Sequence, residues 1–155
     1  MMWLRHRGDP DAIVEMVLSR VGWDGMDVRD PAAVILALGW DLRELDSDGP
    51  EDGITSEESR TAYVRFLGDR RDIRRAIAHE CGHIVLLESG QRFPHCECCA
   101  DRIGRAVCLG NSGLRRQMRT ESPQSIIGGF DHMFLPSEVA RRIAEVRFSE
   151  GLRVG

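Results

Sequence analysis

Apolar residues at helical spacing predict two helices near the start of the chain. The first follows the start signal Asp9-Pro10, an N-cap residue before a proline, and ends at Gly22. The same signal recurs at Asp30-Pro31, and the apolar run of residues 32–38 predicts a second, shorter helix. The apolar stripe on the first helix indicates contact with the core, with a partner-binding face as the alternative. This stripe consists of Ile13, Val14, Val17, Leu18 and Val21.

Alternating apolar and polar residues predict strands in two places. Trp40, Leu42 and Leu45 indicate a first strand, and residues 61–67 alternate in the same way. Between them, residues 46–58 are acidic and contain glycine, which predicts a turn region.

Two longer helices are predicted after the second strand. The first starts with Asp69 as N-cap and carries the apolar segment 76–87, and the second runs from about His95 to Leu109. Residues 89–94 between them contain a glycine stop, a turn and a proline, so the two helices can fold back on each other. Gly104 inside the second helix is unfavourable by roughly 1 kcal/mol unless helices cross closely there.

The last third of the chain has weaker signals. Ser122-Pro123 and Pro136-Ser137 each predict the start of a helix, the first of which ends at Gly128-Gly129. The 155 residues correspond to one α+β domain, in which helices pack on a small β-sheet. We expect residues 1–29 to form its N-terminal helix, residues 30–147 its core and residues 148–155 a tail, of which the last residues, 151–155, should fray.

The charge distribution argues against a nucleic-acid-binding surface. The net charge is −4, and residues 1–78 are the acidic half, with 11 arginines against 16 aspartates and glutamates. No signal-peptide pattern or membrane-spanning apolar run occurs, and the 5 cysteines are an odd number, best interpreted as reduced thiols. These features predict a cytoplasmic protein that binds neither nucleic acid nor membrane.

The candidate chemistry lies in the apolar segment 76–87. His79, Glu80 and His83 form the motif H-E-x-x-H, and a helix places both imidazoles on one face, about 5–6 Å apart at their Cβ atoms. Both rings can then bind one metal ion, while Glu80 can reach a water molecule on that ion without binding it. The spacing is typical of a zinc hydrolase.

A catalytic zinc site needs a third protein ligand and an open position for water. Glu97 and Asp101 share one face of the second helix, so Glu97 can complete a set with His79 and His83. Asp101 can accept the free ring N–H of a histidine ligand, which would fix the tautomer of that ring.

With these residues on the two helices, the sequence resembles the ImmA/IrrE family of small metallopeptidases. The resemblance covers residues 30–147 and is specific in about thirty residues around the two helices. The matching positions are Arg74, Ala78, His79-Glu80-Cys81-Gly82-His83, Glu97, Ala100 and Asp101. Arg75, Ala76 and the segment 110–113 depart from the family pattern, but they concern the wall of the site and leave the proposed ligands intact.

The resemblance implies a zincin-like fold and a protein substrate. Members of the family are often encoded on mobile elements or phages and act on helix-turn-helix repressors. In zincin-like folds an edge strand beside the site pairs with an extended peptide. The strand predicted at residues 61–67 is the candidate for this role, with an ordinary inner strand as the alternative.

Other possible ligands and donors cluster near the second helix. Cys96, Cys98 and Cys99 are candidates for a thiolate site, but no second C-x-x-C or histidine pair follows to complete it. Alternatively, Cys96 or Cys98 could replace Glu97 as the third ligand. For an oxyanion donor, His132, Tyr63 and His95 are candidates, and nothing in the sequence selects among them. His6 and His132 have no motif around them, which favours an ordinary surface or core histidine over a metal ligand.

The sequence therefore predicts a zinc-dependent endopeptidase. His79, His83 and Glu97 would hold the metal, Glu80 would act as general base, and the expected substrate is a repressor of a mobile element or phage. The alternative is a non-catalytic binding protein, such as an anti-repressor or phage component, that uses the same fold. The intact Glu80 favours the enzyme.

Overall fold

The computed structural model describes residues 9–23, 29–46, 49–91, 93–110 and 112–149. His6 and the end of the predicted tail, residues 150–155, lie outside the described residues. The described part contains seven helices and one three-stranded sheet, and the protein belongs to the α+β class. The elements in chain order are α1 (Pro10–Arg20), α2 (Pro31–Ala37), β1 (Asp41–Glu44), β2 (Gly53–Ser56), β3 (Thr61–Val64), α3 (Arg70–Glu88), α4 (Glu97–Cys108), α5 (Ser112–Thr120), α6 (Pro123–Gly129) and α7 (Pro136–Ser149).

The helix starts confirm the capping signals in the sequence. The side chains of Asp9, Asp30, Asp69 and Ser122 each accept a hydrogen bond from a backbone N–H in the first turn of their helix. After α3, Gly90 adopts a φ of +70°, a left-handed conformation that glycine reaches without steric cost.

The sheet differs from the prediction in its order and in one of its strands. The strand order is β1-β3-β2, with β1 parallel and β2 antiparallel to β3. β2 lies within residues 46–58, which the sequence assigns to a turn region, because its short Ile54-Thr55 core gives no alternation signal without the partner strand. β3 ends at Val64, and Phe66 and Leu67 beyond it are exposed.

β3 is the central strand, so of the two alternatives for residues 61–67 the ordinary inner strand is confirmed, and the substrate-pairing edge strand is not. Both of its edges are occupied, by β1 and by β2. Within the described residues the free edges of the sheet belong to β1 and β2.

Two apolar clusters form the core, one on each side of α4. The first joins α1, α2, β3 and α3 to α4. The second joins the end of α4 to α5, α6 and α7. The predicted stripe on α1 faces the first cluster, except that Val21 lies beyond the helix and is 42% exposed.

α3 and α4 pack with their backbones in direct contact. A Cβ atom at Gly82 would lie 2.0 Å from the carbonyl oxygen of Ala100, and one at Gly104 would lie 2.4 Å from that of Ala78. Glycine is therefore required at both positions, as predicted for Gly104. This contact brings the histidine face of α3 next to the first turn of α4.

The sequence pattern predicts neither α5 nor the exact start of α4. In α5 only Leu114 and Met118 are buried, one turn apart, which is too short a pattern to predict a helix. α4 begins at Glu97, with Cys96 as its N-cap, whereas the sequence suggests a start at His95.

Among the described helices, none has the length and apolarity needed to cross a membrane.

Candidate metal centre

The histidines of α3 and the first residue of α4 converge on one point. The rings of His79 and His83 lie one turn apart, with centroids separated by 4.9 Å and planes nearly perpendicular. Glu97 faces both rings: its Oε2 is 2.6 Å from Nε2 of His79, and its Oε1 is 3.1 Å from Nε2 of His83. Both distances are shorter than the roughly 3.3 Å between ligand atoms around a tetrahedral zinc ion, the first by about 0.7 Å and the second by about 0.2 Å.

Hydrogen bonds on the far side of each ring orient the two imidazoles. Nδ1 of His79 lies 2.6 Å from Oδ1 of Asp101, and Nδ1 of His83 lies 2.8 Å from the carbonyl oxygen of Pro94. A carbonyl oxygen only accepts, so Nδ1 of His83 carries a proton. The Nε2 atoms are thereby directed at Glu97, as metal-binding histidines require.

This arrangement places hydrogen-bond acceptors opposite each other. If Nδ1 of His83 donates to Pro94, Nε2 of the neutral ring has no proton. Its lone pair then faces a carboxylate oxygen of Glu97. Such a pair needs a cation between its atoms, either a proton or a metal ion. His79, Glu97 and His83 form a group that could hold a metal ion, with ligand atoms all within 4.8 Å of one another.

The charges around His79 favour its cationic form in the absence of metal. The hydrogen bond with Asp101 raises the pKa of His79 to about 9, although burial of the ring acts in the opposite direction. The same bond lowers the pKa of Asp101. The carboxylates of Asp101 and Glu97 lie on both sides of the His79 imidazole. Their negative charges favour a positive charge at this ring, and a divalent cation can supply it.

Glu80 lies beside this group without belonging to it. Its side chain is buried, its Oε2 is 4.0 Å from Nε2 of His79, and its Oε1 accepts a 2.8 Å hydrogen bond from Thr55. Burial raises the pKa of Glu80, and the Thr55 hydroxyl opposes this effect. A carboxylate so placed can accept a proton from a water molecule next to the histidines.

An open cleft of about 510 Å³ gives access to these groups. Its floor is formed by His79, Glu80 and His83 from α3, and one wall is formed by residues 51–55, which include the start of β2. Gly53 packs so closely on Glu80 that a Cβ atom there would lie 2.9 Å from the carboxylate side chain.

Of the predicted oxyanion donors, His95 lines the cleft, and Nε2 of its exposed ring is 3.1 Å from a carboxylate oxygen of Glu57. Tyr63 does not line it. Tyr63 pairs with Ile54 in the ladder, on the sheet face opposite to Ala62 and the core, so strand alternation directs it away from α3. His132 is exposed between α6 and α7 and does not line the cleft either.

The cysteines form a group of their own. The sulfur atoms of Cys96, Cys98 and Cys99 lie within 4.8 Å of one another, separately from the histidine group. In the structure the carboxylate of Glu97, and neither Cys96 nor Cys98, faces the imidazoles.

Comparisons of the chain with protein-family models, with curated proteins and with solved structures found no match. Sequence reasoning missed Thr55, Gly53 and the carbonyl of Pro94. A backbone carbonyl has no signature in the sequence, and Thr55 could have been found only by recognising β2.

Proposed function

We propose that the protein is a zinc-dependent endopeptidase with a zincin-like catalytic core. The observation that carries this proposal is the convergence of His79 Nε2, His83 Nε2 and the Glu97 carboxylate beside the buried carboxylate of Glu80. Two imidazoles and one carboxylate with an open fourth position are the ligand set of a catalytic zinc site. The resemblance of residues 74–101 to the ImmA/IrrE family supports the same conclusion.

The residues divide the work of peptide hydrolysis among them. Zinc, when bound, would polarise the scissile carbonyl and lower the pKa of the attacking water toward neutrality. Glu80 would accept the proton of that water and pass it to the leaving amine. Thr55 would hold one oxygen of Glu80 through its hydrogen bond, so that the other oxygen faces the water. Asp101 and the Pro94 carbonyl would keep the imidazoles in the tautomer that exposes Nε2.

β2 would take the substrate-pairing role, for which the sequence made the strand at residues 61–67 one candidate. It is an edge strand of the described sheet, and residues 53–55 line the cleft beside Glu80. An extended peptide could add to this edge by main-chain hydrogen bonds and cross the ligand group. Because Gly53 has no side chain, Glu80 can lie directly against the strand, and a bound peptide could come close to Glu80.

A helix-turn-helix repressor of a mobile element or phage is the proposed substrate class, on the strength of the family resemblance. The charge of the cleft is consistent with it. Glu51 and Asp52 are exposed at its rim, and they would attract the arginine-rich and lysine-rich surface of a DNA-binding protein.

The test is cleavage of a peptide library prepared from a whole proteome, with new termini identified by mass spectrometry. Zinc-loaded protein should cut it, and a chelator should stop the reaction. Glu80→Gln should keep its zinc and lose at least 100-fold in rate. Glu88→Gln is the matched control, because Glu88 lies on the same helix, contacts Trp40 and Arg60, and is outside the cleft.

Full cleavage by the Glu80→Gln variant would refute the assignment of Glu80. A non-catalytic binding role predicts a different result, namely a stable complex with a helix-turn-helix repressor in which the repressor stays intact with zinc present.

A further inference from the structure

A cluster of three thiols lies at the N-terminus of α4. The Sγ atoms of Cys96, Cys98 and Cys99 are all within 4.8 Å of one another, and those of Cys96 and Cys98 are 3.5 Å apart. Sulfur atoms that bind one tetrahedral zinc ion at 2.3 Å are separated by roughly 3.8 Å. The Cys96–Cys98 spacing is thus close to the one that a shared ion requires, and the other two sulfur pairs lie within 4.8 Å.

The start of α4 produces this convergence. Cys96 is the N-cap, with an extended backbone conformation, and its sulfur accepts a 3.4 Å hydrogen bond from the backbone N–H of Cys99. An N-cap side chain folds back over the second and third helical residues, which here are Cys98 and Cys99. Glu97, the first helical residue, points to the imidazoles instead.

The cluster is open to solvent, unlike the other thiols of the protein. Cys98 is exposed, and Cys96 and Cys99 are partly exposed. Cys81 and Cys108 are buried in the two apolar clusters, where they pack as small apolar residues. An ion from solution can therefore reach the three thiols at the start of α4 but not the buried thiols of Cys81 and Cys108.

We propose that Cys96, Cys98 and Cys99 form a second metal site for a thiophilic divalent cation such as Zn²⁺. Each thiol releases its proton to solvent as its sulfur binds the ion, and a water molecule takes the fourth position. The positive end of the α4 dipole lies beneath the anionic ligands and favours the complex. No redox step is involved.

This site would stabilise the part of α4 that carries Glu97. The side chain of Glu97 is 75% exposed, and it is held in place by its contacts with the two imidazoles. An ion bound to the residues on both sides of Glu97 fixes the first helical turn and hence the position of that carboxylate. The proposal does not depend on the peptidase activity.

Co²⁺ titration of the reduced full chain under anaerobic conditions tests the proposal. The wild-type protein should bind two equivalents and develop the ultraviolet sulfur-to-cobalt charge-transfer band. The double variant Cys96→Ser/Cys98→Ser should bind one equivalent without the band. Serine is a preferred N-cap, so this variant keeps the start of α4, which its circular dichroism should verify.

Two further variants separate the two sites. His79→Ala/His83→Ala should bind one equivalent of Co²⁺ and keep the band, which makes the result independent of the proposed peptidase site. Cys108→Ala, which removes a buried thiol outside the cluster, should behave as the wild type does.

Three results would overturn the proposal. One is a wild-type titration without the charge-transfer band, and another is a band that persists in the Cys96→Ser/Cys98→Ser variant. The third is a disulfide between Cys96 and Cys99, detected by mass spectrometry, that forms in air even when excess Co²⁺ is present. That last result would identify the cluster as a redox pair instead.

Discussion

Gly82 of α3 lies directly against the carbonyl oxygen of Ala100 in α4, so closely that a Cβ atom at Gly82 would approach this oxygen to 2.0 Å. The obstacle is backbone, so no side-chain rotation can relieve it. Because His83 follows Gly82 and Glu97 lies one turn before Ala100, the same contact determines how far apart the proposed ligands are.

Gly82→Ala should therefore disrupt both the packing and the site. We expect a loss of about 3 kcal/mol in the free energy of unfolding, at the upper end of overpacking effects, together with weaker zinc binding. Urea unfolding and a zinc titration measure the two. Gly128→Ala is the control: nothing lies near its Cβ position, and this substitution should leave stability unchanged or raise it by up to about 1 kcal/mol. A stable Gly82→Ala variant with full zinc affinity would contradict the role of the contact.

Asp101→Ala should weaken zinc binding without abolishing it. Asp101 holds Nδ1 of His79 at 2.6 Å, and loss of such a supporting hydrogen bond lowers metal affinity by about 10-fold to 100-fold. Competition with a chromophoric chelator measures the dissociation constant. Asp131→Ala, in an exposed turn away from the cleft, should have no effect. Equal affinities for the two variants would show that Asp101 does not support the site.

Thr55→Val should slow hydrolysis while leaving the metal in place. Valine has nearly the shape of threonine but cannot donate the 2.8 Å hydrogen bond to Glu80, so that carboxylate loses its orientation. We expect kcat/KM to fall about 10-fold, in line with the strength of a hydrogen bond to a charged group. Ser56→Ala, at the next position of β2, serves as the control. Unchanged kinetics in Thr55→Val would remove Thr55 from the mechanism.

Zinc should stabilise the fold through the histidine group. At a free zinc concentration 100 times the dissociation constant, the expected gain is about 2.7 kcal/mol, which a thermal scan detects as a higher Tm. The comparison is best made in the Cys96→Ser/Cys98→Ser background, where the thiols do not contribute. Adding His83→Ala to this background should abolish the shift, and a shift that survived would place the ion elsewhere.

Asp11→Ala should destabilise the protein far more than a surface substitution does. Asp11 accepts a 2.6 Å hydrogen bond from Arg142, a fully buried arginine that joins α7 to α1. Removal of the carboxylate leaves this guanidinium buried and without its counter-charge, at a cost of about 3–5 kcal/mol. Asp41→Ala breaks the exposed, solvent-screened pair with Arg43 and should leave the free energy of unfolding nearly unchanged. Similar unfolding free energies for both variants would contradict this account of the core.

Much of the helical framework is local and could be predicted. Asp9, Asp30, Asp69 and Ser122 cap their helices through residues two or three positions away, and the spacing of His79 and His83 places both on one helix face. The helix turn of 3.6 residues encodes these relationships directly, so the amino-acid order alone determined them.

The sheet and the surroundings of the ligands depended on the tertiary structure. β2 forms because it pairs with β3. Its position at the edge of the sheet makes β2 the strand that lines the cleft. The partners of Glu80 and His83 are the Thr55 hydroxyl, 25 positions away, and the Pro94 carbonyl, which every residue type could provide. Contacts between distant segments are set by how the whole chain packs, and no local pattern of residues records them.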